Sequence, residues 1–225
     1  MTPQLLRVGA GGHKVVQVDG ATGDPDAAVA LAAALAPFPR GPNPNYPGVR
    51  RVVDECDTDA FGYVTALLRA LSPFIAGAFD CDGFDLVEAS FSIVTTPPAQ
   101  LSPQQRMPHY DSIDPRDLAV MHYLGTAPGS GTAFFRQRAT AIEAVDPANA
   151  AAFVAAARRA APQARGYIHG SDAAFEEIGR VAAVRDRVVI YQGALLHSGI
   201  IPDTLPLDPD PHRGRLTTNI FIRTR

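Results

Sequence analysis

The chain has 225 residues, enough for one sizeable core and too few for two comfortable domains. A net charge of -3 lacks the basic excess that a phosphate backbone demands, so no nucleic-acid partner is expected. Apolar residues make up 46% and charged ones 19%, and no run approaches the roughly 18 apolar residues that cross a bilayer, so no membrane partner is expected either.

In chain order, Gly9-Ala10-Gly11-Gly12 lacks the spacing and the following Lys of a phosphate loop and reads as a turn. Asp24-Pro25 opens an alanine-rich helix that Pro37 ends, because Asp caps the first N–H groups and Pro is preset for the first helical position. Pro39 to Val49 is rich in Pro, Gly and Asn and reads as a loop, and the Arg50-Arg51 pair behind it reads as a solvated surface pair. A second helix is expected from Asp57-Thr58 to about Leu71, with Ser72-Pro73 breaking or kinking it before Phe79. From Phe84 the pattern turns to β-branched and aromatic alternation. Strands are expected at Leu86 to Val94, Leu118 to Leu124, Thr132 to Phe135, Arg187 to Gln192, Ala194 to Ser198 and Arg215 to Ile222. One helix, Ala148 to Ala161 after Asp146-Pro147, interrupts them. Helices first and strands after predict an α+β, mainly β single domain over 1–225, with a helical support region at 1–83 packed on one sheet of the core at 84–225.

The chemistry-bearing residues gather in the second half. In an extended His109-Tyr110-Asp111 the imidazole and the carboxylate point to one side and can meet one metal ion. A further histidine, His197, ends a strand-like segment downstream, and two histidines with one carboxylate leave open the positions that non-haem Fe(II) oxygenases need. On the last strand Arg215 and Thr217 share a face where a guanidinium and a hydroxyl could grip a carboxylate. His122 neighbours Tyr123 and therefore faces the other side, as a structural histidine, while His13, His169 and His212 read as solvated. No GxSxG elbow is present.

Four ordered pieces carry a resemblance. They are Pro108-His109-Tyr110-Asp111; Ala119 to Gly125 with Gly129-Ser130-Gly131-Thr132-Ala133-Phe134-Phe135; His197-Ser198-Gly199; and Arg215 with Thr217. Together they resemble the prolyl-hydroxylase-like branch of the Fe(II)/2-oxoglutarate oxygenases over about half the chain. The resemblance implies a double-stranded β-helix, a jelly-roll barrel whose mouth holds iron. It implies His109, Asp111 and His197 as catalytic iron ligands, Arg215, Thr217 and Tyr123 as the residues that hold 2-oxoglutarate, and O₂ as oxidant. The substrate would be a small molecule, an amino acid or a peptidyl side chain. Asp111 fills the position a halide takes in the related halogenases, so hydroxylation is expected. Two departures stand out: Gly125 replaces the customary asparagine, and Ile200 to His212 inserts a Pro- and Asp-rich loop, expected as a mobile lid, that leaves Arg213 as a rival to Arg215. A cupin-like metalloprotein without 2-oxoglutarate and a non-catalytic binding barrel are the alternatives. Cys56 and Cys81 have no CxxC spacing and Met1 to Ala10 has no secretory pattern, so a reducing cytoplasm is expected.

Overall fold

The computed structural model describes residues 1–40, 45–125 and 128–225. The chain opens on a hairpin of β1 (Thr2–Val8) and β2 (His13–Asp19), whose turn places Gly9 and Gly12 at φ +67 and +60, where a side chain would be strained. Helix α1 (Pro25–Ala34) follows, with the Asp24 carboxylate accepting from the Ala27 N–H at 3.1 Å as the cap requires. Next come β3 (Gly48–Val53), α2 (Thr58–Phe79), β4 (Phe84–Val94), β5 (Asp117–Tyr123) and β6 (Gly131–Gln137). The chain closes with α3 (Ala150–Ala160), β7 (Phe175–Ala182), β8 (Arg187–Gln192), β9 (His197–Ile200) and β10 (Leu216–Thr224).

Two antiparallel sheets result. The larger has seven strands in the order β1-β2-β8-β5-β10-β4-β3, and the smaller has three in the order β7-β6-β9. Strand alternation sorts their side chains into layers. Leu118 and Val120 of β5, Val188 and Ile190 of β8, and Ile220 and Ile222 of β10 pack with Val64, Leu68, Leu71 and Ile75 of α2. From the opposite faces of the same strands, Ala119, Tyr123, Val189 and Tyr191 meet Phe134 and Val181 of the small sheet. Helix α3 covers the outer side of that sheet through Phe153 against Ala133, Phe135 and Phe175.

The mainly β architecture with the N-terminal helices on one sheet agrees with expectation, but 1–83 is more than a helical support. It adds β1, β2 and β3 to the two edges of the large sheet, because His13 to Asp19 and Gly48 to Val53 find strand partners in β8 and β4. Helix α2 also runs unbroken through Pro73. Its apolar stripe continues past the proline with Ile75 and Ala78 buried, and that packing outweighs the one backbone bond Pro73 forfeits. It is 22 residues long and apolar enough to cross a bilayer by length and composition, the one such helix among the described residues. Strand β7 was not anticipated, since Phe175 to Ala182 mixes charges and glycine on a half-exposed edge. Helix α3 begins after Asn149, one turn beyond Asp146, whose carboxylate instead receives the Ala148 and Asn149 N–H groups.

Candidate active site

His109 and His197 are direct cross-strand partners, each backbone N–H donating to the other's carbonyl at 2.9 Å. The chain continues extended to Asp111, whose N–H donates to Gly193 O at 2.7 Å, so both side chains of the HxD pair emerge beside His197. Asp111 Oδ2 lies 3.4 Å from His197 Nε2, and Asp111 Oδ1 lies 3.7 Å from His109 Nε2. One ligand atom from each of the three residues can be chosen so that all lie within 4.8 Å of one another, a spacing that fits a single divalent ion. His197 Nδ1 donates to Leu195 O at 2.8 Å, which turns its Nε2 toward Asp111. His109 sits in an open depression: 55% of its side chain meets solvent, yet the protein packed around the ring and then the facing His197 push its pKa down to about 4 against the pull of Asp111. Two imidazoles and a carboxylate thus face one point, a donor set that suits a divalent iron.

Arg215 lies just before β10 with 4% of its surface exposed. Its Nε donates to Ser130 Oγ at 2.7 Å and its Nη2 to Gly131 O at 3.1 Å. Both acceptors are neutral, and no carboxylate of the described residues lies within 4.0 Å of the guanidinium. A Cβ added to Gly199 would stand 3.8 Å from Arg215 Nη2, so the guanidinium passes over β9 two residues beyond His197. The Tyr191 hydroxyl bridges the two centres electrostatically. Burial pushes its pKa well above the usual value, the Asp111 charge adds to that, and the Arg215 charge opposes it, while its ring packs 4.7 Å from the His197 ring.

The remaining expected residues cluster around Arg215. Tyr123, under the guanidinium at 5.8 Å from its ring, shares a hydrogen bond of 2.6 Å with Thr132 Oγ1. Thr217 is buried opposite Tyr123 on one side and Ser92 on the other. Arg213 is exposed and bound to Asp208 at 2.7 Å, so it does not share the interior. His122 turns to the helix side as expected, held by the Tyr63 hydroxyl at 2.6 Å and Asp186 at 3.0 Å. The absent asparagine at 125 has a steric cause: a Cβ on Gly125 would overlap the Gly214 carbonyl and come within 2.7 Å of Leu216 N. The Ile200 to His212 insertion is anchored by buried Ile201 and Leu205, which pack with Val94 and Tyr167 and form a wall. Of the Pro39 to Val49 loop, 41–44 lie outside the described residues.

Sequence reasoning passed over Ser130, Thr132 and Tyr191 as site residues. Ser130 and Thr132 lay in the hairpin motif already, and Tyr191 was marked only by its place one residue from Gln192 on the inward face of β8. It also misjudged Arg50. Arg51 points out to Asp57, while Arg50 points in with 12% of its side chain exposed.

No curated relative matches the chain by sequence. Among solved structures, it resembles HygX from Streptomyces hygroscopicus with iron bound, at TM-score 0.54 and 12% identity over 94% of this chain and 83% of that one. The same protein with nickel and 2-oxoglutarate bound gives TM-score 0.52 and 12% identity over 93% and 82%. The non-heme alpha ketoglutarate dependent epimerase SnoN from nogalamycin biosynthesis gives 0.51 and 13% over 93% and 77%. At such identities the likeness is one of fold. Residues 1–222 match a sequence family, and the chain belongs to it: the family of unknown function DUF6445.

Proposed function

We propose that the chain is a non-haem Fe(II)/2-oxoglutarate-dependent oxygenase on a double-stranded β-helix, oxidising a small molecule, an amino acid or a peptidyl side chain in the cytoplasm. The observation that carries this reading is Arg215. A guanidinium 4% exposed and without an acidic partner among the described residues is costly to bury, and it lies against β9 two residues from His197 of the His/Asp/His triad. A cupin-like enzyme with the same metal would have no use for that charge, whereas a dicarboxylate that reaches from the metal to the arginine would neutralise it.

His109, Asp111 and His197 would hold the iron, and Arg215, with Thr217 and Tyr123 nearby, the outer carboxylate of 2-oxoglutarate. Together with O₂ these groups supply, when bound, the oxidising power to hydroxylate a C–H bond, yielding succinate and CO₂. The protein's own contributions are geometric and electrostatic. The Nδ1–H of His197 is committed to Leu195 O, which orients the ring with its Nε2 toward the metal position. Backbone bonds from His109 to His197 and from Asp111 to Gly193 fix the ligands before any metal arrives. Tyr191, Phe134 and Val189 close the space between the sheets with apolar surface and exclude water. A carboxylate at Asp111 keeps that metal position from a halide, which favours hydroxylation. The test is succinate release from 2-oxoglutarate by the Fe(II)-loaded protein, together with calorimetric binding of 2-oxoglutarate to the Mn(II) form. Both are expected for the wild type and neither for His109→Ala; absence of both in the wild type would overturn the reading.

A further inference from the structure

The large sheet carries a second polar wall inside the barrel, apart from Arg215. Arg50 Nη2 donates to Glu88 Oε1 at 2.6 Å and to Ser90 Oγ at 2.8 Å, and its ring-facing guanidinium lies 5.9 Å from the Tyr46 ring. Its Nε is buried with no hydrogen-bond partner among the described residues. Across the ladder, Asn219 stands opposite Ser90, and its Oδ1 is also buried without a partner among the described residues. Folded proteins rarely leave such atoms orphaned, so a donor on β3 and an acceptor on β10, on either side of Ser90 of β4, call for an account.

A chain of contacts links the wall to the strand that carries His197. Asn219 follows Arg215 and Thr217 on the same face of β10 and pairs in register with Met121. The Met121 sulfur is 3.6 Å from Thr132 Oγ1 on the small sheet, and Thr132 pairs with Gly199, two residues from His197.

We propose that Arg50 and Asn219 form the seat of the substrate's own carboxylate, and that the substrate is an α-amino or α-hydroxy acid. This rests on the oxygenase reading above and names the substrate class for that site. An open donor and an open acceptor flanking Ser90 match a ligand with a carboxylate and a hydrogen-bond donor on the adjacent carbon: the carboxylate takes the Arg50 Nε–H, and the ammonium or hydroxyl donates to Asn219 Oδ1. 2-Oxoglutarate does not fit this wall, because it carries no donor and would leave Asn219 Oδ1 unsatisfied. Glu88, 40% exposed, closes Arg50 on the solvent side and is placed to share the positive charge of an ammonium group.

The experiment is calorimetric titration of the Mn(II)- and 2-oxoglutarate-loaded protein with the free L-amino acids and with L-lactate, each beside its carboxamide. At least one acid is expected to bind, with its carboxamide at least tenfold weaker. Arg50→Gln should weaken that acid at least tenfold and Asn219→Leu similarly, while 2-oxoglutarate affinity, the control for folding, changes by less than about threefold. Arg50→Lys should restore part of the loss. If no acid binds a wild type that binds 2-oxoglutarate, or if acid and carboxamide bind alike, this proposal falls and the oxygenase reading stands. If Arg50→Gln loses 2-oxoglutarate as strongly as the acid, the wall belongs to the co-substrate and the proposal is overturned. A wild type that binds no 2-oxoglutarate removes the reading on which it rests.

Discussion

Replacing Arg215 by alanine should uncouple 2-oxoglutarate binding from metal binding. The guanidinium's only hydrogen bonds among the described residues go to Ser130 Oγ and Gly131 O, neutral acceptors that leave its charge uncompensated at 4% exposure. A carboxylate brought to about 4 Å gains roughly 4 kcal/mol of Coulomb energy at an effective dielectric near 20, part of which desolvation takes back. Truncating one member of such a pair costs on the order of 2–5 kcal/mol, and since each ~1.4 kcal/mol is tenfold, the low end alone is about 30-fold in affinity. Lysine keeps the charge and loses the planar fork, so Arg215→Lys should fall between the two. The assay is anaerobic titration of 2-oxoglutarate into Fe(II)-loaded protein, following the metal-to-ligand charge-transfer band, with metal affinity measured separately and expected within about twofold of wild type. Arg213→Ala, whose side chain is exposed and held by Asp208, is the control. Loss of 2-oxoglutarate in Arg213→Ala with retention in Arg215→Ala would refute the argument from burial.

Two further outcomes test the surrounding structure. Gly125→Asn should destabilise by about 1–3 kcal/mol, since the new Cβ meets backbone at Gly214 and Leu216 that cannot rotate away, and at ~2–4 °C per kcal/mol a melt should show a drop of several degrees; an unchanged Tm would mean the β10 entry is more pliable than its hydrogen bonds imply. Glu143 is buried beneath the β1–β2 turn: burial alone would raise its pKa, but the N–H groups of Gly11 and Ala10 and the Arg136 guanidinium bring it down from 4.5 to about 2. A folded-state pKa below the unfolded one contributes stability that is present above pH ~4.5 and lost as the pH falls toward 2, at most roughly 3 kcal/mol before solvent screening. Urea unfolding of wild type and Glu143→Gln should therefore show a gap that narrows from pH 6 to pH 3, and a gap independent of pH would sink the assignment.

The sequence was most legible where one residue type answers to one physical demand. The HxD spacing, the downstream His197 and the Arg215/Thr217 face all depend on the two-residue period of extended chain, and the structure brings those five residues to one region between the sheets. The Asp24-Pro25 start was equally readable, because a cap and a preset φ act within one turn. Illegible were the elements whose partners lie far along the chain. Strand β3 looked like the end of a proline-rich loop, and only pairing with β4 makes it a strand and turns Arg50 inward. Helix α2 survives Pro73 because the large sheet covers its apolar stripe, a contribution invisible in a local reading. Gly125 appeared as a departure from a motif, and its cause sits almost ninety residues away at Gly214.

The pairing of His109 with His197 also gives the molecule a way to report on its own occupancy. On its side of β9 the small sheet gains a fourth position through a single residue, held by two backbone bonds, so this corner is the easiest part of the sheet to open. A metal clamped between the two rings would close the same corner through the side chains. Amide exchange at His109 and His197 should then slow with metal concentration while Ala133, inside the ladder, stays indifferent. The free energy of that local opening and the free energy of metal binding become one quantity, measured from opposite ends.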